Sequence, residues 1–234
     1  METIKDRLER VQESMALALQ RAGRKPDEVR LCAVTKFVSV ERIGEAVDAG
    51  VSLIGENRAQ EFSEKLTFYK QRNLEAHFIG QLQTNKVKYI CGQADLIQSV
   101  DRIPLLDAIE RRAERLGIVQ PILIQVNIGN EPQKGGVPMD ALRAVLDAAQ
   151  TCSHVCVRGL MCVPPAGEPE RTRPYFRKMY ERFIREREGL STFDTLSMGM
   201  SHDYPIAIEE GATLVRVGTA IFGARQIQGG IQNG

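Results

Sequence analysis

Short apolar runs alternate with amphipathic stretches along nearly the whole chain. The runs are Val29–Thr35, Val51–Gly55, Ala76–Gly80, Leu96–Val100, Ile122–Ile128, Val155–Val163, Thr195–Met198 and Leu214–Gly218. Each is short and apolar enough to predict a buried strand. Between them the apolar positions fall at helical spacing. Val40–Ala49 follows Ser39, a residue type suited to capping a helix, and Leu105–Leu116 carries Leu105, Ile109, Ala113 and Leu116 on one face. Ala59–Tyr69, Met139–Ala149 and Tyr175–Glu188 complete the long helical stretches. Gly50, Gly117 and Gly211 stand where such helices would stop. One more amphipathic helix, Ile4–Arg21, precedes the first strand.

Eight strand-helix repeats predict an α/β fold: a closed (β/α)8 TIM barrel with an extra N-terminal helix. A doubly wound open sheet is the alternative with the same alternation. No linker or second core interrupts the pattern, so residues 1–225 are expected to form one barrel and the Gly- and Gln-rich residues 226–234 a flexible tail. The formal net charge is +1, too balanced for general attraction to nucleic acid or a membrane surface. No apolar run approaches the roughly 18 residues of a spanning helix. The charged start, Met1-Glu2-Thr3-Ile4-Lys5-Asp6, has no signal-peptide core, so a cytoplasmic location is expected. Five cysteines, an odd count, argue against a disulfide framework. Cys32, Cys156 and Cys162 lie in apolar runs and are expected in the core. Cys152, His154 and Cys156 are spaced as metal ligands could be, but no second cysteine pair completes a set, so no metal is expected.

A barrel of this kind places its active site at the C-terminal ends of its strands. The residues there are Lys36, Glu56, Asn57, residues 80–83, Asn127, Met161, residues 197–201 and residues 216–219. Lys36 follows the apolar run Leu31-Cys32-Ala33-Val34 and should sit at the rim of a core, where desolvation disfavours the ammonium form. A neutral amine can attack a carbonyl and form a Schiff base. The last strand runs through Arg216-Val217-Gly218-Thr219 directly into an apolar helix, with Gly218 allowing close approach of a ligand and Thr219 able to cap. The run Ser197-Met198-Gly199-Met200-Ser201 adds two hydroxyls nearby, so a phosphate site is expected here. Arg216 shares a strand face with Gly218 and should point into the barrel, either to a structural partner such as Glu56 or to a ligand. A Schiff-base lysine, a phosphate site on the opposite side and an arginine between them suggest pyridoxal phosphate, its ring nitrogen left unprotonated by the arginine. His77, alone at the start of a strand, reads as a hydrogen-bonded structural residue.

The segments Ala33-Val34-Thr35-Lys36, Gly55-Glu56-Asn57-Arg58, residues 77–86, Gly159-Leu160-Met161, Ser197-Met198-Gly199-Met200-Ser201 and residues 215–223 together resemble the pyridoxal phosphate homeostasis protein family, also called the YggS or PROSC family. The resemblance runs in order from about Val29 to Arg225. It implies a barrel of the alanine racemase N-terminal type carrying pyridoxal phosphate on Lys36. It further implies Arg216 facing the pyridine nitrogen, Ser201, Gly218 and Thr219 holding the phosphate with a Met200 backbone donor, and Asn57 near the ring. The family binds and supplies the cofactor, so apo-enzymes dependent on it are the expected partners and no catalysis of its own is expected.

A small amino-acid racemase is the competing reading. That chemistry needs a second base on the far face of the substrate, which alanine racemases take from a tyrosine of an appended domain. The chain runs only about 16 residues past Gly218, leaving no room for such a domain, and a monomer is expected. Tyr69, Tyr89, Tyr175 and Tyr180 fall on outer helices, with only Tyr204 near the mouth.

Overall fold

The computed structural model describes residues 2–224, so the tail expected at 226–234 lies outside the described residues. Nine strands form one sheet: β1 (Arg30–Val34), β2 (Leu53–Glu56), β3 (Glu75–Phe78), β4 (Leu96–Val100), β5 (Gln120–Asn127), β6 (Val137–Pro138), β7 (Val155–Cys162), β8 (Thr195–Ser197) and β9 (Leu214–Val217). Eight of them close a parallel ring in the order β1, β2, β3, β4, β5, β7, β8, β9 and back to β1. The two-residue β6 pairs only with the end of β5. The structure is therefore the closed barrel, not the open sheet. Each ring strand lies within two residues of its predicted run.

The helices are α1 (Ile4–Arg21), α2 (Val40–Asp48), α3 (Ala59–Gln71), α4 (Val87–Ile90), α5 (Ile103–Leu116), α6 (Leu142–Gln150), α7 (Arg173–Arg187), α8 (Tyr204–Glu209) and α9 (Thr219–Phe222). The periodicity gives no sign of α4 or α8, which span one to two turns and are too short to show a helical repeat. The start expected at Met139 moves to Leu142, because Ala141 N–H turns back to the Pro138 carbonyl. Gly117 ends α5 in the left-handed conformation, φ 64°, as its position suggests.

The N-terminal helix has a structural reason. The last strand is followed by α9, a helix of only four residues, which cannot cover the outer face where β9 meets β1. Helix α1 fills that place, packing against α2, α8 and α9. Its stripe of Ile4, Leu8, Val11, Met15, Ala18 and Leu19 is buried, and Thr3 and Asp6 close its start with a reciprocal capping box. The main core lies between the ring and its helices. Inside the ring sit two smaller apolar clusters, Cys32 with Leu53 and Leu214, and Leu96 with Leu123 and Met161. Cys156, expected in the core, is partly exposed, while Cys91 is fully buried.

Candidate functional site

The ring order decides which strand ends meet at the mouth. β1 lies between β2 and β9, and Ala33 is in register with both Ile54 and Val217. Asn57, Lys36 and Gly218 therefore stand side by side at the ends of three neighbouring strands. The phosphate loop expected opposite the lysine is beside it instead. A Cβ added to Gly218 would lie 3.2 Å from the Val34 Cβ and 3.4 Å from its carbonyl oxygen, so the two chains approach closely there.

Lys36 is exposed, and the desolvation expected of its amine is not present. The fold supplies a rigid mount instead. On one side Thr35 N–H donates to the Gly55 carbonyl (3.0 Å), the Thr35 carbonyl accepts from Lys65 Nζ (2.9 Å), and Thr35 Oγ1 donates to Glu56 Oε2 (3.1 Å). On the other side Phe37 N–H donates to Glu61 Oε2 (2.8 Å). Lys65 ties these anchors together, with its Nζ 2.9 Å from Glu56 Oε2 and 3.1 Å from Glu61 Oε2. Phe37 is held at φ 59°, a left-handed conformation whose cost for a bulky residue is on the order of 1–3 kcal/mol. Its ring lies 4.9 Å from the Arg58 guanidinium. Tyr69 sits on an outer helix as expected, but its hydroxyl turns inward to within 3.4 Å of Thr35 Oγ1 and 3.5 Å of Glu56 Oε2. Burial pushes that hydroxyl's pKa above its ordinary value. None of Lys65, Glu61 and Tyr69 stood out in the sequence. Their only signal was an i, i+4, i+8 spacing on one helix face beside a buried Glu56.

Gly218 and Ser201 shape the neighbouring loop. Gly199 has φ +90°, and a Cβ there would fall 2.6 Å from the Ala207 Cβ, so this turn requires glycine. Ser201 Oγ accepts from Gly218 N–H (3.1 Å) and Ala220 N–H (3.4 Å). Ser201, rather than Thr219, thus caps α9. Thr219 is its first residue and is exposed. The Met200 N–H, expected to serve a ligand, donates to Asp203 Oδ1 at 2.7 Å. Asp203 is buried, which raises its carboxyl pKa. At the other flank, Gly80 backs so closely on Asn57 that a Cβ would lie 1.9 Å from the Asn57 carbonyl oxygen. The Asn57 side-chain oxygen is buried with no hydrogen-bond partner among the described residues.

Arg216 points into the ring, as its strand parity requires, and is 4% exposed. Its partner is not Glu56, whose carboxylate faces α3. Arg216 NH1 donates to Ser197 Oγ (2.6 Å) and NH2 to the Cys162 carbonyl (2.9 Å). Burial lowers its pKa, opposed by Cys162, Cys32 and Asp203. Ser197, expected among the ligand hydroxyls, is fully buried and belongs to the interior. Its Oγ donates to Gln98 Oε1 (2.6 Å). Asn127 braces the following loop through the Glu131 and Lys134 carbonyls. His77 is hydrogen-bonded to Glu75 and Gln98, the structural role read for it, and His154 is held by Glu110.

Residues 7–226 match the family model described as the alanine racemase N-terminal domain. A pyridoxal phosphate homeostasis protein from Aquifex aeolicus is 48% identical over 223 residues, covering 94% of this chain and 98% of that protein. A solved structure from Bifidobacterium adolescentis superposes with a TM-score of 0.89 at 34% identity, covering 93% of this chain and 94% of that one. PipY of Synechococcus elongatus, solved with PLP bound, has a TM-score of 0.81 at 32% identity and covers 94% of this chain and 100% of its own.

Proposed function

Because the chain belongs to the alanine racemase N-terminal domain family and, within it, to the pyridoxal phosphate homeostasis proteins, we propose that it holds pyridoxal 5'-phosphate (PLP) as a Schiff base on Lys36 and supplies it to apo-enzymes. In this reading it serves vitamin B6 homeostasis as a monomer in the cytoplasm. The observation that carries it is the adjacency of Lys36 to the Ser201–Gly218–Thr219 loop, with Arg216 deeper in the ring. On PLP the aldehyde and the phosphate arm are neighbours on the ring, and the ring nitrogen lies across from the aldehyde. An amine beside a phosphate loop, above a buried guanidinium, matches that pattern of substituents.

When bound, PLP supplies an aldehyde for an amine to condense with and an electron-withdrawing ring. The residues here supply placement. The Thr35 and Phe37 anchors fix where the Lys36 amine emerges. Ser201 Oγ, Thr219 and the backbone of Gly218 would hold the phosphate. Asn57, whose side-chain oxygen has no partner among the described residues, would offer it to the ring. Arg216 keeps its proton, as guanidinium groups do, and would therefore donate a hydrogen bond to the ring nitrogen rather than protonate it. That leaves the ring a poorer electron sink, which suits holding over turnover. The tyrosines agree with this reading. Tyr204 is packed into the core, Tyr69 is bonded beneath Thr35, and Tyr180 lines a cavity at the other end of the barrel.

Borohydride reduction with PLP followed by peptide mass mapping is the direct test. We expect one phosphopyridoxyl adduct, on Lys36, and none in Lys36→Ala, which should keep only weak binding through the phosphate. An adduct that persists in Lys36→Ala, or labelling scattered over surface lysines, would remove the assignment.

A further inference from the structure

The ring interior carries a continuous line of buried side chains that the cofactor reading leaves unused. Arg216 NH1 meets Ser197 Oγ (2.6 Å), Ser197 Oγ meets Gln98 Oε1 (2.6 Å), Gln98 Nε2 meets His77 Nδ1 (2.8 Å), and His77 Nε2 meets Glu75 Oε1 (2.8 Å). Ser197 and Gln98 are fully buried and His77 is 1% exposed. The line crosses four strands, β9, β8, β4 and β3, and descends from the mouth to the opposite end of the barrel. There Glu75 meets Arg30.

The donors and acceptors give this line a direction. The Glu75 carboxylate only accepts, so a neutral His77 carries its proton on Nε2, and Nδ1 is left as an acceptor. The nitrogen of the Gln98 amide must then face His77, and its oxygen faces Ser197. Ser197 donates its hydroxyl proton to that oxygen and turns a lone pair to Arg216. Among the described residues the guanidinium thus hydrogen-bonds only to neutral acceptors, Ser197 Oγ and the Cys162 carbonyl, and the carboxylate at the end of the line is three side chains away. Asp203 is the carboxylate that acts on the Arg216 charge, without a hydrogen bond to it, and the remaining guanidinium N–H groups are committed to neither acceptor.

Resting on the PLP reading above, we infer that Gln98 and His77 are positioning residues for Arg216. Their one-way hydrogen-bond line fixes which guanidinium N–H groups are engaged inside the barrel and which are left for the ring nitrogen of the cofactor. A Gln98→Met substitution keeps the approximate volume and removes both links. Loss of a hydrogen bond to a charged group is worth about tenfold or more in binding when it is transmitted fully.

The test uses the full chain titrated with PLP, reading the dissociation constant and the absorption band, with thermal stability measured alongside. For Gln98→Met we expect about tenfold weaker binding and a shifted band, with borohydride labelling still on Lys36. Ser197→Ala should do the same, and the double variant should be no worse than either single, because both break one line. A folded Gln98→Met protein with unchanged affinity and band overturns the proposal. Should the variants not fold, nitrogen-15 shifts of His77 in the unsubstituted, ligand-free protein decide. A proton on Nε2 and a bare Nδ1 support the line, and an Nδ1–H tautomer or an imidazolium overturns it. If the unsubstituted protein gives no Lys36 adduct, the PLP reading fails and this proposal falls with it. An adduct without any response to Gln98→Met overturns the positioning role alone.

Discussion

Lys65 shows how much a single side chain does in this site without touching a ligand. Its ammonium is buried among Glu56 Oε2, Glu61 Oε2 and the Thr35 carbonyl, and it is the only cation bonded to both carboxylates within hydrogen-bond range among the described residues. Replacing it by methionine keeps the stem but leaves the buried Glu56 and the part-buried Glu61 without their shared cation. Removing one partner of a buried pair costs about 3–5 kcal/mol, so Lys65→Met should lower the free energy of unfolding by that order in a denaturant titration. A loss below about 1 kcal/mol, the scale of an exposed pair, would show that water reaches the cluster. Part of this scale was legible in the chain. Lys36 and Arg216 stand at readable positions, one past a strand and one of inward parity. What was not legible was the setting of each: the amine is exposed rather than desolvated, and the guanidinium rests on Ser197 rather than Glu56. Both depend on side chains from other strands and helices, whose distance in sequence hides them.

The elements were the most legible level, because strand and helix periods are local properties. The failures are the short ones. α4 and α8 have too few residues for a period, whereas the equally short α9, expected from the Gly218-Thr219 start, determines the architecture around β1 and β9. A four-residue α9 leaves apolar surface that α1 must cover, so α1 belongs to the barrel's core and is no accessory. Leu8, 1% exposed in the middle of its stripe, tests this. Leu8→Ala should destabilise the protein by about 2–5 kcal/mol, the range for truncating a fully buried leucine. An effect under about 0.5 kcal/mol, as for a surface position, would mean that α1 docks only loosely. Gly159 marks another element-level constraint. It sits at φ +145° next to the register shift between β5 and β7, and a Cβ there would lie 1.9 Å from the Thr195 carbonyl oxygen.

The whole molecule has two unlike ends. The mouth gathers Asn57, Lys36, Ser201, Gly218 and Thr219. At the other end the strand starts surround a cavity of about 980 Å³ with Arg30, Glu75, Arg158 and Asp194 in its wall. Arg30 pairs with Glu75 and Arg158 with Asp194, so the charges there are largely satisfied within the protein. The hydrogen bond from His77, and after it those from Arg30, hold the Glu75 carboxyl down at about 2, against an ordinary 4.5. A carboxyl with a depressed folded pKa adds stability that is complete above its unfolded value and is lost as the pH falls toward the folded one. Thermal stability should therefore decline between about pH 4.5 and 2 in part through Glu75, and Glu75→Gln should flatten that limb; an unchanged limb would show that Glu75 contributes nothing to it. Among the described residues no helix is long and apolar enough to cross a membrane. The sequence by itself determined the repeat, the number of ring strands and the identity of the residues at their ends, because apolar period and turn chemistry act over a few neighbouring residues. Only the tertiary structure decided that the ring closes, and closure is what brings β9 against β1. That contact sets the Ser201–Gly218–Thr219 loop beside Lys36 rather than across from it, and ring closure aligns four polar side chains from three strands into one line under Arg216. Such pairings are long-range, and no local pattern of hydrophobic and polar residues encodes which strand end will meet which.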